Sequence, residues 1–377
     1  MFLSYQYSAE KFLMRQKIVT LLTFFLLIAG LSLVKITNST AATAAPNPKT
    51  ATANQQIINQ LIDILKSHES HKLRLQATIR LGNIDDPLTR KALIYALEKD
   101  PHYTVRAACA TALAKLHEFN AIPQLLTRVG IDPEPFVRSQ ASQALEQFNH
   151  NEAIEYALKT YTSPYPSVRA EVIRFIASTP TPMIEPVLAL ALGDVAEVST
   201  AASKAVMAIP IPARWRFLSS ASSHPDVAVR RGAILALASM PSHDAAEIVL
   251  AVYDRDIEDE EVRVAAREAL RRLRDFLPMS QVYRDANPTT KKHIRSRALR
   301  LLGCVGGPQA LKILTEALKD NDRYVRGIAV MALGELDDPA ALPAVEELLK
   351  HPDNKFIMHL INNTLRQLHN KQENREH

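Results

Sequence analysis

The chain has 377 residues, 10 glycines, 6% aromatic residues and a formal net charge of +5. Alanine and leucine crowd every segment, a composition that suits packed helices and gives strands little support. Of the net charge, +3 falls within residues 1–45, so the remainder is too near neutral to argue for a nucleic acid or another polyanion as partner.

Taken from the N-terminus, the first feature is an uncharged run, Ile18 to Val34, preceded by Lys11, Arg15 and Lys17. Its length of about 25 Å as a helix is short for a membrane span and long for the core of a signal peptide. Residues 1–45 are therefore expected to be either a signal peptide, with a cleavage site after Ala44, or a retained membrane anchor. Translation starting at Met14 rather than Met1 would give an ordinary short basic leader. Positive charge before the apolar run holds the N-terminus in the cytoplasm and sends the rest of the chain across the membrane. The expected location is non-cytoplasmic: periplasmic, secreted, or anchored by one N-terminal segment that touches the membrane if uncleaved. Residues 46–53, rich in Ala, Thr, Asn and Pro, read as a flexible linker.

From residue 54 to the C-terminus a single pattern repeats. An aliphatic residue followed by arginine opens a helical segment, as in Val105–Leu116, Val137–Phe148, Val229–Met240, Val262–Leu273 and Val325–Leu336. The arginines are Arg74, Arg106, Arg138, Arg169, Arg230, Arg263, Arg295 and Arg326, spaced by 31–33 residues with one double gap. Ser199 fills the middle of that gap, and Met358 holds the position one period past Arg326. Between these segments lie amphipathic stretches such as Gly307–Asp320, and turns such as Leu81–Thr89 with Asp-Pro at the helix start. Ten such units predict ten helix pairs, each able to bury its apolar side only against its neighbours. The pair near Ser280–Pro288 is expected to have a short first helix.

These units resemble HEAT repeats, specifically the short HEAT-like repeats of phycobilin lyases. The shared features are the aliphatic-arginine start, the alanine-rich second helix and the Leu-Gly turn leading into Asp-Pro or Gly-Pro. The resemblance implies an all-α fold, a right-handed α-α superhelix with first helices outside and second helices on the concave face. It also implies that the arginines are structural, each bonding an aspartate or a backbone carbonyl of a neighbouring repeat. Asp100, Asp132 and Asp320 stand six residues before an arginine, in position for that role.

Enzymes of this repeat class set the tests for chemistry. The resemblance to deoxyhypusine hydroxylase would require His-Glu pairs after the arginines, to bind two irons. Those positions hold Ala107-Ala108, Ser139-Gln140, Ala170-Glu171 and Gly327-Ile328, while His68-Glu69 and His117-Glu118 fall out of register. Trp215, the sole tryptophan, falls in a first helix, away from the acidic aromatic cleft of HEAT-like DNA glycosylases. His68 and His71 are too few for a metal site, and Cys109 and Cys304, six repeats apart, are beyond disulfide reach. No catalytic residue, cofactor or metal is expected. The sequence points instead to a scaffold binding a protein partner, with a phycobilin-lyase-like enzyme acting on a small ligand as the alternative. The expected contact residues are Arg267, Arg271, Arg272, Lys291, Lys292 and Arg300, a basic patch beside an acidic turn running from Asp254 to Glu261. Ile173, Met207, Ile234 and Leu235 are expected to seal adjacent second helices.

Overall fold

The computed structural model describes residues 48–376, apart from Asn149, Thr179, Pro180, 256–258, Pro308 and His351. The leader assigned to residues 1–45 lies outside the described residues. The first helix begins at Pro48, inside the stretch 46–53 expected as a linker.

Every regular element among the described residues is a helix. Contacts divide the chain at Pro210 into two units of five helix pairs each. In the first unit, α1 (Pro48–Ser67) pairs with α2 (His71–Leu81), and α3 (Pro87–Lys99) with α4 (Tyr103–Lys115). They are followed by α5 (Ile122–Ile131) with α6 (Pro135–Leu145), α7 (His150–Thr160) with α8 (Pro166–Ala177), and α9 (Glu185–Leu192) with α10 (Ala196–Ala208). The second unit holds α11 (Ile211–Ala221) with α12 (Val227–Ala238), α13 (His243–Arg255) with α14 (Glu260–Arg272), and α15 (Met279–Asp285) with α16 (Lys292–Val305). It ends with α17 (Ala310–Ala317) and α18 (Arg323–Leu336), then α19 (Leu342–Glu347) and α20 (Met358–Glu376). Odd numbers are first helices and even numbers second helices. As expected, α15 is short, with seven residues.

Local chemistry sets the helix starts. Asp86, Asp226 and Asp322 accept hydrogen bonds from backbone N–H groups two residues on, at 2.8 Å in each case. Proline stands in the first turn of α3, α6 and α8, where no intrahelical donor is lost. The apolar stripes then meet in the interior: Val105, Leu113, Leu125, Val137 and Val168 are all fully buried.

Second helices of successive pairs pack closely in most of the stack, α4 against α6, α8 against α10, and α16 against α18. The third and fourth pairs differ. Here α6 and α8 scarcely touch, and α5 packs against α8 instead. Gly130 in α5 permits this, since a Cβ there would lie 2.9 Å from the backbone N and Cα of Val168.

Candidate interaction surface

The recurrent arginines line the turns between first and second helices, and the structure shows how a complete rung is built. The Arg106 guanidinium donates from Nε and Nη2 to both carboxylate oxygens of Asp132, at 2.9 and 2.8 Å. Its Nη1 donates to the carbonyls of Asp100 and Pro101, at 2.9 and 3.1 Å. Arg74 grips Asp100 in the same bidentate way, at 2.7 and 2.9 Å, and Arg169 grips Asp194 at 2.8 and 2.9 Å. Each arginine thus takes carbonyls from its own turn and a carboxylate from the next pair. The expected neighbour contact is the carboxylate alone; the carbonyls belong to the arginine's own repeat. Asp100 also accepts from the N–H of His102 at 2.8 Å, so one aspartate shapes its turn and ties two pairs together.

Not every rung is complete. Arg230 meets Asp259 through one nitrogen at 2.6 Å, and Arg295 pairs with Asp320. Arg326 donates to the neutral Asn354 at 3.0 Å. Among the described residues Arg263 pairs with Glu260 alone, in its own helix. Arg138 donates Nη1 to the carbonyls of Asp132 and Pro133, at 2.7 and 3.1 Å. Among the described residues no carboxylate reaches it.

The basic residues expected to form one contact patch are dispersed. Arg267 and Arg271 turn toward the end of α18: Arg267 Nη1 lies 3.4 Å from Glu335 Oε1, and Arg271 Nη2 donates to the Glu335 carbonyl at 3.0 Å. Arg271 Nε also donates to the Cys304 carbonyl at 2.9 Å. Tyr253 joins this cluster, its hydroxyl 3.5 Å from Glu335 Oε2, and burial pushes its ionisation far above the usual tyrosine range. Arg272 pairs with Glu268 at 3.1 Å, and Lys292 with Asp322 at 2.6 Å. Lys291, exposed before α16, Arg300, half-buried, and Arg271, which donates to carbonyls alone, have no carboxylate within ion-pair distance among the described residues. In the acidic turn, Asp254 is held by Arg297 at 2.5 Å and Asp259 by Arg230. Asp256 and Glu258 lie outside the described residues. The patch is therefore largely answered within the chain, chiefly by Glu335, which sequence reasoning passed over because it sits more than 60 residues from both arginines.

Other expected positions are placed plainly. Ile173 and Ile234 are buried between helices, whereas Met207 and Leu235 are 55% and 50% exposed. His68 Nδ1 accepts from the N–H of Ser70, and Glu118 takes Arg90 at 2.9 Å. Both histidine-glutamate pairs thus shape turns. Trp215 lies in α11, a first helix as expected. Cys109 and Cys304 are free and buried, with burial pushing each thiol up to about 12. Among the described residues no three histidine, cysteine or acidic side chains gather as a metal site, and no helix is long and apolar enough to cross a membrane.

A second feature was not foreseen from the sequence. At the starts of successive second helices in the first unit, aromatic rings stand in the solvent. His71 stacks on His102 with centroids 3.8 Å apart, His102 lies 5.0 Å from Tyr103, and Tyr103 meets Phe136 edge-on at 6.3 Å. Tyr165 occupies the equivalent turn of the next pair; Phe136 and Tyr165 are 51% and 52% exposed. The signal was present as an aromatic residue two to four places before Arg106, Arg138 and Arg169.

HEAT repeats match this chain over residues 58–146 and 279–363. No curated protein matches it. Among solved structures, human deoxyhypusine hydroxylase in complex with glycerol is 17% identical, covering 77% of this chain and 99% of its own, with a TM-score of 0.28. An engineered protein is 18% identical over 83% of this chain and 98% of its own, with a TM-score of 0.25. Kap121p bound to Pho4p is 12% identical over 86% of this chain and 44% of its own, with a TM-score of 0.41. The chain thus spans less than half of the Kap121p structure.

Proposed function

We propose that this chain, a HEAT-repeat protein, is a non-catalytic scaffold that holds a protein partner along the turns and second helices of its first unit. We further propose that it is exported and that residues 1–45, where retained, tether it to the membrane. The observation that carries the scaffold reading is the row of exposed rings at Tyr103, Phe136 and Tyr165, one at the start of the second helix in each of three successive pairs. Uncovered apolar surface of this kind marks interaction sites, and aromatic residues are enriched at the centres of interfaces. A solenoid multiplies such contacts because each pair offers the same position one step further on.

Site-specific photo-crosslinking in cells tests this reading. A photoreactive residue replacing Tyr165 is expected to capture one defined envelope or membrane protein. The same residue replacing Tyr95, 53% exposed on the first helix α3, is expected to capture none of it. Equal capture from both positions, or none from Tyr165, would sink the scaffold reading. Recovery of the intact repeats in the cytosolic fraction would overturn export.

A further inference from the structure

The third rung differs from its neighbours in one atom group, and the difference coincides with a change in packing. Asp194 follows Arg169 by 25 residues, and Ser163 follows Arg138 by the same 25. Ser163 also occupies the aspartate's place in the turn. Its hydroxyl accepts from the N–H of Tyr165 at 3.3 Å, as Asp132 accepts from Glu134 at 3.1 Å. Its carbonyl and that of Pro164 accept from Arg169, as those of Asp100 and Pro101 accept from Arg106. The turn is conserved in shape while the carboxylate is replaced by a hydroxyl too short to reach across to the arginine. At this same junction α6 and α8 stand apart, whereas α4 with α6 and α8 with α10, each joined by a bidentate rung, pack closely.

Arg138 therefore keeps its charge and the Nε–Nη2 edge that Arg74, Arg106 and Arg169 commit to aspartate. The edge is pre-aimed, because Nη1 is fixed by two carbonyls. The exposed Phe136 and Tyr165 stand on the two turns that border the junction. A planar guanidinium with one edge presented is matched in geometry and charge by a carboxylate.

We propose that an acidic peptide segment of a partner protein completes the third rung, its Asp or Glu side chain taking the Nε–Nη2 edge of Arg138 between Phe136 and Tyr165. This rests on the scaffold reading and names the chemistry of the partner. The partner's carboxylate does between molecules what Asp100, Asp132 and Asp194 do within this one.

The test uses the full chain and an array of acetylated, amidated heptapeptides, each with one central Asp or Glu in varied flanks. A matched array carries Asn or Gln at the centre. Wild-type protein is expected to bind members of the acidic array at least about tenfold more tightly than their amide counterparts, the difference a charge-assisted pair supplies. Ser163→Asp supplies the missing carboxylate from within; it is expected to raise the melting temperature and to lower acidic-peptide affinity at least about tenfold. Arg138→Lys, which keeps the charge but not the fork, is expected to weaken binding as well. Equal binding of the two arrays, no binding by the wild type, or undiminished binding by Ser163→Asp would overturn the proposal. The two readings separate cleanly. Peptide binding that depends on Arg138, with no partner crosslinked through Tyr165 in cells, supports the rung and sinks the scaffold. Crosslinking through Tyr165 that survives Ser163→Asp unchanged sinks the rung and leaves the scaffold standing.

Discussion

Asp132 carries a large share of the bonding at its junction. It is 2% exposed, accepts two bonds from Arg106, one from Arg128 at 3.2 Å and one from the N–H of Glu134. Burial alone would push its carboxyl up, but the Arg106 hydrogen bonds, the Glu134 N–H and the two guanidinium charges hold it below the usual carboxylate range. A group depressed in the folded state contributes stability above its unfolded value of 3.8, and that contribution is lost as pH falls through the folded value. The acid limb of a stability–pH curve is accordingly expected to begin near pH 4 and to flatten in Asp132→Asn. Asp132→Ala leaves the Arg106 guanidinium buried and unpaired, at a cost of about 3–5 kcal/mol, measurable as a lowered urea midpoint. The arginines of these rungs were legible in the sequence because their position recurs. Their acids were only partly so: Asp100, Asp132 and Asp320 stand six residues before an arginine, while Asp194 precedes Ser199 and Asp259 lies four before Arg263.

At the scale of the helix, close approach decides which residues are tolerated. Gly303 in α16 faces Ala332 in α18, where an added Cβ would lie 2.5 Å from the Ala332 carbonyl oxygen and 2.6 Å from its Cα. Alanine is the better helix former by about 1 kcal/mol, so propensity favours Gly303→Ala. Overpacking against rigid backbone costs about 1–3 kcal/mol and opposes it. Backbone cannot yield as a flexible side chain can, so a net loss is expected, read as a lower melting temperature. The opposite outcome would show that α16 and α18 can move apart freely. A bidentate rung and close second helices go together at α4–α6 and α8–α10, while α12–α14 and α16–α18 pack closely across a single ion pair. Where Arg263 pairs with Glu260 of its own helix, α14 and α16 pack more loosely. Periodicity revealed the helices and the short α15, but not these spacings, because each depends on small residues meeting across an interface.

At the scale of the molecule, repeat stacking makes stability a sum of pairs and their interfaces. Damage at one rung should therefore stay near it. In Asp132→Ala, amide hydrogen exchange measured by mass spectrometry is expected to quicken in α4 through α6 and to remain unchanged in α16 through α18. Uniform acceleration along the chain would instead mean that the repeats unfold as one cooperative body. The Glu335 cluster is the exception to nearest-neighbour logic within the second unit. It joins the seventh pair to the ninth through Arg267, Arg271 and Tyr253, so its loss should be felt on both sides of the short α15.

The sequence by itself determined the repeat, the alternation of first and second helices, the turns that start them and the arginine at eight of the ten steps. These are set by helical periodicity, capping and proline placement, which act within a few residues and repeat wherever the pattern repeats. Only the tertiary structure decided which arginines are satisfied. Arg106 and Arg138 open nearly identical segments, yet one is locked to Asp132 and the other bonds carbonyls alone among the described residues. Likewise Arg267 and Arg271 read as a free basic patch until Glu335 is brought beside them. The partner of a charge depends on how far apart two helices settle and which side chain the next turn supplies, and packing across the whole stack fixes both.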